Sequence, residues 1–212
     1  MRNLLDRKLW KLNRLLCGID EAGRGPLAGP VVAAAVILPR NCTLPGADDS
    51  KSLTARQRAV VFDRICARAL AWGLGIVNHR RIDQVNIRRA SFEAMHKALQ
   101  CLALHPDYTI VDGFPIPGLA LPHEGIVAGD ARSLTIAAAS IIAKVTRDRI
   151  MDRFHDRFPG YGFDQNRGYG TPEHLQALVR LGPSPIHRWS FAPVRDAASL
   201  FPAALLTPGR QE

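Results

Sequence analysis

Short apolar runs and longer helical stripes alternate along the first part of the chain. Residues 15–20 and 30–38 are short, apolar and partly β-branched, and a glycine-rich turn separates them, so they predict two consecutive strands. Apolar residues at helical spacing predict a helix over about residues 54–69, and a third strand is predicted at residues 70–77. The residues of this region that we expect in the core are Val60, Val61, Ile65 and Leu70.

Two further strands and a long helix are predicted beyond this point. An apolar stripe predicts a helix over residues 82–104, and Pro106 ends it before a fourth strand at residues 108–111. A proline-rich loop then leads to a fifth strand at residues 125–127.

Residues 135–154 give the clearest helical pattern, and a short helix is predicted at residues 172–181. The side chains placed on or near the polar face of the longer helix are Ser140, Lys144, Arg147 and Asp148. Strands interspersed with helices predict an α/β domain, a mixed sheet flanked by helices.

Composition narrows the class of protein. The chain has 212 residues, of which 47% are hydrophobic, enough for one core in one or at most two domains. No apolar stretch reaches the about 18 to 20 residues of a membrane helix, and the N-terminus lacks the features of a secretory signal. We therefore expect a cytoplasmic protein without membrane contact. The four cysteines form no C-x-x-C pair, so we expect reduced packing residues.

The net charge of +9 is unevenly distributed. Residues before position 107 include 17 Lys and Arg against 8 Asp and Glu, whereas the remainder has 11 of each kind. A polyanionic partner such as nucleic acid is one interpretation, and a solvated basic face is the other.

Four carboxylates stand at the ends of predicted strands. Asp20 and Glu21 close the first strand, Asp112 closes the fourth, and Asp130 follows the fifth. Ligands bind at the carboxyl ends of strands in α/β sheets, and hard oxygen donors select Mg²⁺ or Mn²⁺. Adjacent strand residues point to opposite faces, so Asp20 and Glu21 line one site only if the strand bends there. Alternatively, each acid caps a turn or pairs with a surface arginine.

Gly23, Arg24 and Gly25 form a tight turn, the GRG turn, directly after the first two acids. With Gly29 they match the spacing of a dinucleotide-binding turn, but a strand-like run follows where such a turn requires a helix. The bare backbone lets a ligand approach closely beside one guanidinium. The turn therefore suits a sugar-phosphate substrate.

Further candidates for substrate contact are Lys51, Asn86, Lys144 and Tyr169. Taken singly, each is also compatible with an ordinary solvated side chain. Tyr169 lies between two glycines, where an aromatic ring packs poorly unless it stacks on a ligand. We expect His174, His187 and Arg188 to be local structural partners.

An ordered set of motifs carries a family resemblance: GIDEAGRGPLAGPVVAAAVIL, DDSKSL, TIVDG, GDARSLTIAAASIIAKVTRDR and YGFDQNRGYGTPEHLQALVRLGPSPIHRWSFAPV. Over about residues 15–195 the sequence resembles bacterial ribonuclease HII. The resemblance implies a ribonuclease H-like fold, a five-stranded mixed sheet flanked by helices with a C-terminal helical segment. The predicted strand order agrees with it.

The activity implied is endonucleolytic cleavage of the RNA strand of RNA–DNA hybrids and of the 5′ side of a single ribonucleotide embedded in duplex DNA. Mg²⁺ or Mn²⁺ is the implied cofactor, and two-metal phosphodiester hydrolysis is the expected mechanism. By position, the catalytic and metal-binding residues are Asp20, Glu21, Asp112 and Asp130.

The resemblance also implies substrate contacts. The GRG turn would read the ribose 2′-hydroxyl, and Tyr169 would stack at the RNA–DNA junction. Positions that match contacts to the nucleic-acid backbone are Lys51, Asn86 and Lys144. Ala128 departs from the pattern, because many relatives carry Lys there before Gly-Asp.

Four segments are predicted: a basic extension at residues 1–14, a catalytic domain at 15–158, a substrate-binding segment at 159–201 and a flexible tail at 202–212. The stretch DAASLFPAALL has a faint similarity to a sliding-clamp peptide, which suggests a weak clamp contact. The alternative functions are another ribonuclease H-like nuclease, such as a junction resolvase or type 1 ribonuclease H, and a non-catalytic hybrid-binding protein.

Overall fold

The computed structural model describes residues 3–12, 15–47 and 53–202. Its strands are β1 (Leu16–Ala22), β2 (Val31–Ile37), β3 (Ala71–Val77), β4 (Tyr108–Asp112) and β5 (His123–Ile126). They form one sheet in the order β3-β2-β1-β4-β5. β1 is antiparallel to β2 and parallel to β4, and β4 is parallel to β5. The predicted five-stranded mixed sheet is confirmed.

Helices precede, separate and follow these strands. They are α1 (Asn3–Leu12), α2 (Ala55–Arg68), α3 (His79–Val85), α4 (Ile87–Gln100), α5 (Gly129–Arg132), α6 (Leu134–Arg157), α7 (Phe163–Asn166), α8 (Pro172–Leu181) and α9 (Ala192–Ala198). α2 begins at a capping box in which the Thr54 side chain accepts from the N–H of Gln57. α8 has the bounds that the sequence predicts.

The helix predicted over residues 82–104 is wrong as a single element. The chain forms α3 and α4 instead, and Asn86 between them has a φ of 70°. α4 ends at Gln100, well before Pro106. The apolar stripe continues across the break between α3 and α4, so the hydrophobic pattern does not reveal that the helix is interrupted.

The core predicted around α2 is half correct. Val61 and Ile65 are buried, but Val60 is 46% exposed and Leu70 is 49% exposed. Val60 stands about 100° around the helix from Val61, outside the buried stripe. Leu70 lies between α2 and β3, where its N–H donates to the carbonyl of Ile37.

The described residues divide into two compact units. The first is built from residues 3–12, 15–22, 32–47, 53–76 and 91–146, and its core includes Leu16, Ile110 and Ile142. The second is built from residues 23–31, 77–90 and 147–202, and its core includes Phe163, Leu178 and Val194. The four-segment division stays a prediction.

The basic N-terminal segment contains a helix that packs into the first unit. Trp10 of α1 is buried. The buried carboxylate of Asp6 accepts from the N–H and hydroxyl of Thr135, each at 2.9 Å, at the start of α6. Burial raises the pKa of Asp6. A carboxylate at this position satisfies a donor that the first turn of a helix leaves open.

The cysteines and the lengths of the helices bear on two predictions made from composition. None of the four cysteines, all of which the structure describes, forms a disulfide, but Cys101 is exposed, so a packing role is wrong for that residue. None of the described helices is long and apolar enough to cross a membrane.

Candidate active site

Two of the predicted carboxylates are neighbours at the carboxyl edge of the sheet in the first unit. β1 and β4 are parallel, and Ile19 pairs with Val111. The next residues in this register are Asp20 and Asp112, so their side chains start from the same face of adjacent strands. Asp20 is buried and Asp112 is half-buried.

Helix α6 packs closely on this face of β1. An ideal Cβ at Gly18 would lie 2.4 Å from the carbonyl carbon of Thr135, so only glycine permits the contact. Asp20, two residues further on, faces the same way, and its carboxylate hydrogen-bonds the Ser140 side chain of α6. The Asp20 Oδ1 atom also accepts from the N–H of Glu21 at 2.7 Å.

Burial raises the pKa of Asp20 well above its usual range, and the neighbouring charges of Glu21 and Asp112 raise it further. The hydrogen bonds from Ser140 and from the Glu21 N–H oppose this rise. The charged form of Asp20 is therefore costly without a nearby cation.

Helix α5 starts beside Asp112 and carries Asp130. The Oδ1 atom of Asp112 accepts from the N–H of Gly129 at 2.7 Å, and Asp130 follows in the first turn of α5, where it is buried. Ala128, the departure from the family pattern, caps α5 in a left-handed conformation with a φ of 51°.

Glu21 starts from the other face of β1. Asp20 and Glu21 pair in turn with Ala34 and Ala33 of β2, without a bulge. The bend considered for this pair is therefore absent, because β1 stays regular through Ala22 and the chain turns only at Gly23, which has a φ of 99°. Alternation along a regular strand places the Cβ of Glu21 opposite that of Asp20.

Within the described ranges, no group of three Asp, Glu, His or Cys side chains is arranged to hold a metal ion. The chemistry of the donors nevertheless suits a divalent cation. Asp20 is a buried oxygen donor beside two like charges, and a hard cation stabilises the charged forms of all three.

One of the two lysine candidates for substrate contact lies within the described residues. Lys144 lies one helical turn after Ser140 on α6, so it shares the side of the helix that contacts Asp20. Lys51 lies outside the described residues.

The GRG turn belongs to the second unit, where Tyr169 lies beside it. Gly23 is buried, whereas Arg24 and Gly25 are exposed. The Cε1 atom of Tyr169 is 3.6 Å from an ideal Cβ at Gly25, and the residue is 44% exposed. The GRG turn therefore lies close to the ring of Tyr169. The resemblance implies that both contact the same substrate.

Two buried arginines hold this region, and sequence patterns did not identify their role. Arg188 is fully buried and donates to the carbonyls of Gly23 at 2.6 Å and Arg24 at 3.0 Å. Arg147 is 1% exposed, so its placement on the polar face of α6 was wrong. Its three hydrogen bonds go to the carbonyls of Ala28 at 3.1 Å, Pro30 at 3.0 Å and Arg167 at 2.9 Å.

Both guanidiniums remain charged at neutral pH despite their burial. Burial lowers the pKa of Arg147 to about 10 and that of Arg188 to about 9, and the charge of Arg147 also lowers the pKa of Arg188. Main-chain carbonyl oxygens compensate for the water that these groups have lost.

A chain of buried histidines fixes the main chain at Tyr169. The N–H of Ser184 donates to Nδ1 of His187 at 2.9 Å, so the neutral His187 ring carries its proton on Nε2. That proton is donated to Nε2 of His174 at 3.0 Å, and Nδ1 of His174 donates to the carbonyl of Tyr169 at 2.8 Å. The expected local structural partnership of these residues is confirmed.

Asn86 has a structural task in the second unit. Its side-chain oxygen accepts from the N–H of Arg89 at 3.1 Å, at the start of α4. Its φ of 70° is unusual for a residue other than glycine and costs about 1 to 3 kcal/mol. The residue is exposed, so a substrate contact remains sterically open.

Comparison with known proteins agrees with this arrangement. The family model for ribonuclease HII matches residues 17–194. A ribonuclease HII of Geobacter sulfurreducens is 54% identical over 184 residues, which are 86% of this chain and 84% of that protein.

Solved structures show the same fold. The crystal structure of ribonuclease H2 from Pyrococcus horikoshii OT3 has a TM-score of 0.76 and 26% identity, over 87% of this chain and 97% of that one. Ribonuclease HII in the PCNA:RNase HII complex from Archaeoglobus fulgidus has a TM-score of 0.66 and 25% identity, over 89% and 90% of the two chains.

The sheet topology and its acidic edge define a nuclease of the ribonuclease H-like class. Within that class, the chain belongs to the ribonuclease HII family. It is an endoribonuclease that acts on RNA–DNA hybrids, and membership of the family implies a divalent metal cofactor. The match assigns it to this family rather than to the type 1 ribonucleases H or the junction resolvases.

Proposed function

We propose that this chain hydrolyses the phosphodiester on the 5′ side of a ribonucleotide, both within RNA–DNA hybrids and where one ribonucleotide is embedded in duplex DNA. The proposed catalytic and metal-binding residues are Asp20, Glu21, Asp112 and Asp130. The observation that carries the proposal is the buried carboxylate of Asp20, which lies beside Asp112 and whose pKa is raised by burial and by its acidic neighbours.

Mg²⁺ or Mn²⁺ is the proposed cofactor. Asp20, Glu21, Asp112 and Asp130 would hold two such ions, whose chemistry would be to lower the pKa of a water and to neutralise charge on the departing 3′-oxygen. The chain contributes the orientation of the donors: Ser140 holds Asp20, and the N–H of Gly129 holds Asp112. Hydrogen bonds of this kind fix a ligand's direction before the cation binds. The charge of Glu21 acts on Asp20, so Glu21 would contribute to the same cation site although its Cβ starts from the opposite face of β1.

We assign recognition of the ribonucleotide to the second unit. The exposed Arg24 and Gly25 would contact the ribose, and the ring of Tyr169 would stack on a sugar or base at the junction. Lys51, Asn86 and Lys144 would contact phosphates. In the predicted division of the chain, the catalytic domain at residues 15–158 would carry the acids together with the GRG turn, Lys51, Asn86 and Lys144, and the substrate-binding segment at residues 159–201 would carry Tyr169.

A weak sliding-clamp contact is proposed for the end of the chain. The relative from Archaeoglobus fulgidus forms a complex with PCNA. The sequence DAASLFPAALL starts in α9 at Asp196 and runs into residues 203–206, which lie outside the described part of the chain.

A 5′-labelled DNA duplex with one ribonucleotide tests activity, polarity and specificity together. We expect a single metal-dependent cut on the 5′ side of the ribonucleotide, and an uncut all-DNA duplex. Asp20→Asn should bind the substrate without cutting it. Binding without cleavage by both the wild type and this variant would exclude the proposed hydrolysis.

A further inference from the structure

We propose that Arg188 is a positioning residue for ribonucleotide recognition: its buried guanidinium fixes the main chain of the GRG turn so that the N–H groups of Arg24 and Gly25 are directed towards the substrate. The inference rests on the proposed role of the turn. It adds a residue that has no exposed surface and would act only through the main chain of the turn.

The hydrogen bonds of Arg188 span both arms of the loop that contains the turn. In addition to Gly23 and Arg24, the guanidinium donates to Gly29 at 3.0 Å and to Pro30 at 3.2 Å, always at the carbonyl oxygen. A planar guanidinium offers five N–H donors in a fixed fork, whereas a lysine ammonium is a single compact donor group. Lysine therefore cannot hold both arms of the loop in the same way.

The geometry of the peptide bond determines where the N–H groups point. The described residues contain no cis peptide bonds, so the C=O and the following N–H of each peptide point in opposite directions. The carbonyls of Gly23 and Arg24 face Arg188. The N–H groups of Arg24 and Gly25 consequently face away from it. Two consecutive N–H groups form a concave donor site that suits an oxygen acceptor such as a ribose hydroxyl.

Arg188 is itself held rigidly. Its main-chain N–H donates to the carbonyl of Leu27 at 2.8 Å, and its guanidinium lies 5.2 Å from the ring centre of Phe191. The carboxylate of Asp83 accepts from the N–H groups of Trp189 at 3.0 Å and Ser190 at 2.9 Å. These contacts fix the position of Arg188 independently of the turn that it contacts.

Arg147 provides a matched control. It is also a buried arginine that bonds main-chain carbonyls. It shares the carbonyl of Pro30 with Arg188, and its side chain packs against Gly23, but its hydrogen bonds go to residues 28, 30 and 167 and not to the GRG turn. Each of the substitutions Arg147→Lys and Arg188→Lys therefore keeps the positive charge and removes a buried planar guanidinium with its N–H donors. Only Arg188→Lys removes donors to Gly23 and Arg24.

The test measures how strongly the full chain prefers a DNA duplex with one ribonucleotide over the same duplex without it. Dissociation constants for both duplexes are determined with EDTA present, so that neither is cut. We expect Arg188→Lys to reduce the wild-type preference by about five- to tenfold, comparable with the loss of one good hydrogen bond. Arg147→Lys should lower the melting temperature similarly and keep most of the preference.

Asp83→Asn is a milder variant whose preference for the one-ribonucleotide duplex is measured in the same way. If Arg188→Lys does not fold, the test relies on Asp83→Asn. It weakens the anchor of the Trp189–Ser190 main chain and should reduce the preference in the same direction, by less. An unchanged preference in Arg188→Lys, or in Asp83→Asn where only that variant folds, overturns the inference. Equal losses in the two lysine variants also overturn it. If the wild type shows no preference at all, the proposed role of the turn fails instead.

Discussion

A single main-chain N–H fixes the direction of Asp112, and this makes Asp112→Asn an informative substitution. The asparagine oxygen can still accept from the N–H of Gly129, which bonds Asp112 at 2.7 Å, so the fold should change little. Loss of the negative charge should reduce cleavage by about a thousandfold, because a metal-binding carboxylate supports several kcal/mol of charge stabilisation. Cleavage of the one-ribonucleotide duplex and thermal melting are measured together.

Asp63→Asn is the matched control for this substitution, since Asp63 is an exposed carboxylate of α2. It should leave both activity and melting temperature close to those of the wild type. Full activity in Asp112→Asn would remove that residue from the site.

At the residue scale, the sequence predicts the candidate catalytic carboxylates better than the buried arginines that hydrogen-bond the main chain around the substrate-binding turn. Asp20 and Asp112 could be identified because carboxylates are rare at the ends of buried strands. Arg147 and Arg188 could not, because their partners are main-chain carbonyls, which every residue possesses. The pairing of such a donor with its acceptor appears only in three dimensions.

The contact between β1 and α6 links the fold to the acidic site at the scale of elements. A Cβ at Gly18 would lie 2.4 Å from the Thr135 main chain, so Gly18→Ala must push α6 away from the strand that carries Asp20. We expect a loss of about 1 to 3 kcal/mol in the free energy of unfolding. Cleavage should fall even where the variant is fully folded, because Ser140 would move away from Asp20.

Gly75→Ala separates this effect from general destabilisation. An ideal Cβ at Gly75 would lie 1.8 Å from the carbonyl oxygen of Ala94, a similar clash between β3 and α4. Urea unfolding should show both variants to be destabilised. If Gly75→Ala loses as much activity as Gly18→Ala when both are folded, the special role of the β1–α6 contact is refuted.

Helices and strands with a regular hydrophobic pattern could be predicted from the sequence, but the breaks within such patterns could not. α8 and the five strands follow from hydrophobic pattern and turn residues. The break at Asn86 did not, because an apolar stripe records burial and carries no information on a single φ angle. The missing bend at Asp20 and Glu21 has a similar origin, since the pairing of β1 with β2 keeps the strand regular.

The buried histidine chain makes the stability of the second unit depend on pH. Burial, together with the nearby charge of His174, lowers the pKa of His187 to about 3, so the folded chain keeps this ring neutral when the unfolded chain binds a proton. The stabilisation is complete above about pH 6.5 and is lost as the pH falls towards 3, at about 1.4 kcal/mol for each pH unit.

His187→Gln should remove this contribution, because glutamine does not titrate. The difference in unfolding free energy between wild type and variant, measured at intervals from pH 7 to pH 4, should shrink as the pH falls. A constant difference over this range would show that His187 is not the group responsible.

On the scale of the whole molecule, charge distribution predicts how nucleic acid is bound. The net charge of +9 comes from residues before position 107, since the remainder is neutral overall. Each phosphate neutralised by a basic side chain should contribute about 0.9 to the slope of log affinity against log salt for duplex DNA. We therefore expect affinity for the one-ribonucleotide duplex to fall steeply between low and moderate salt.

Two double variants locate the charges responsible for that slope. Arg88 and Arg89 are exposed at the start of α4, in the basic half, and their joint replacement by Gln should lower the slope by up to about 1.8, or 0.9 for each lost phosphate contact. Arg180→Gln with Arg195→Gln removes the same charge from exposed positions in the neutral half and should change the slope less. Dissociation constants measured at several salt concentrations decide between them. Equal slopes in both double variants would mean that net charge alone, and not its location along the chain, governs binding.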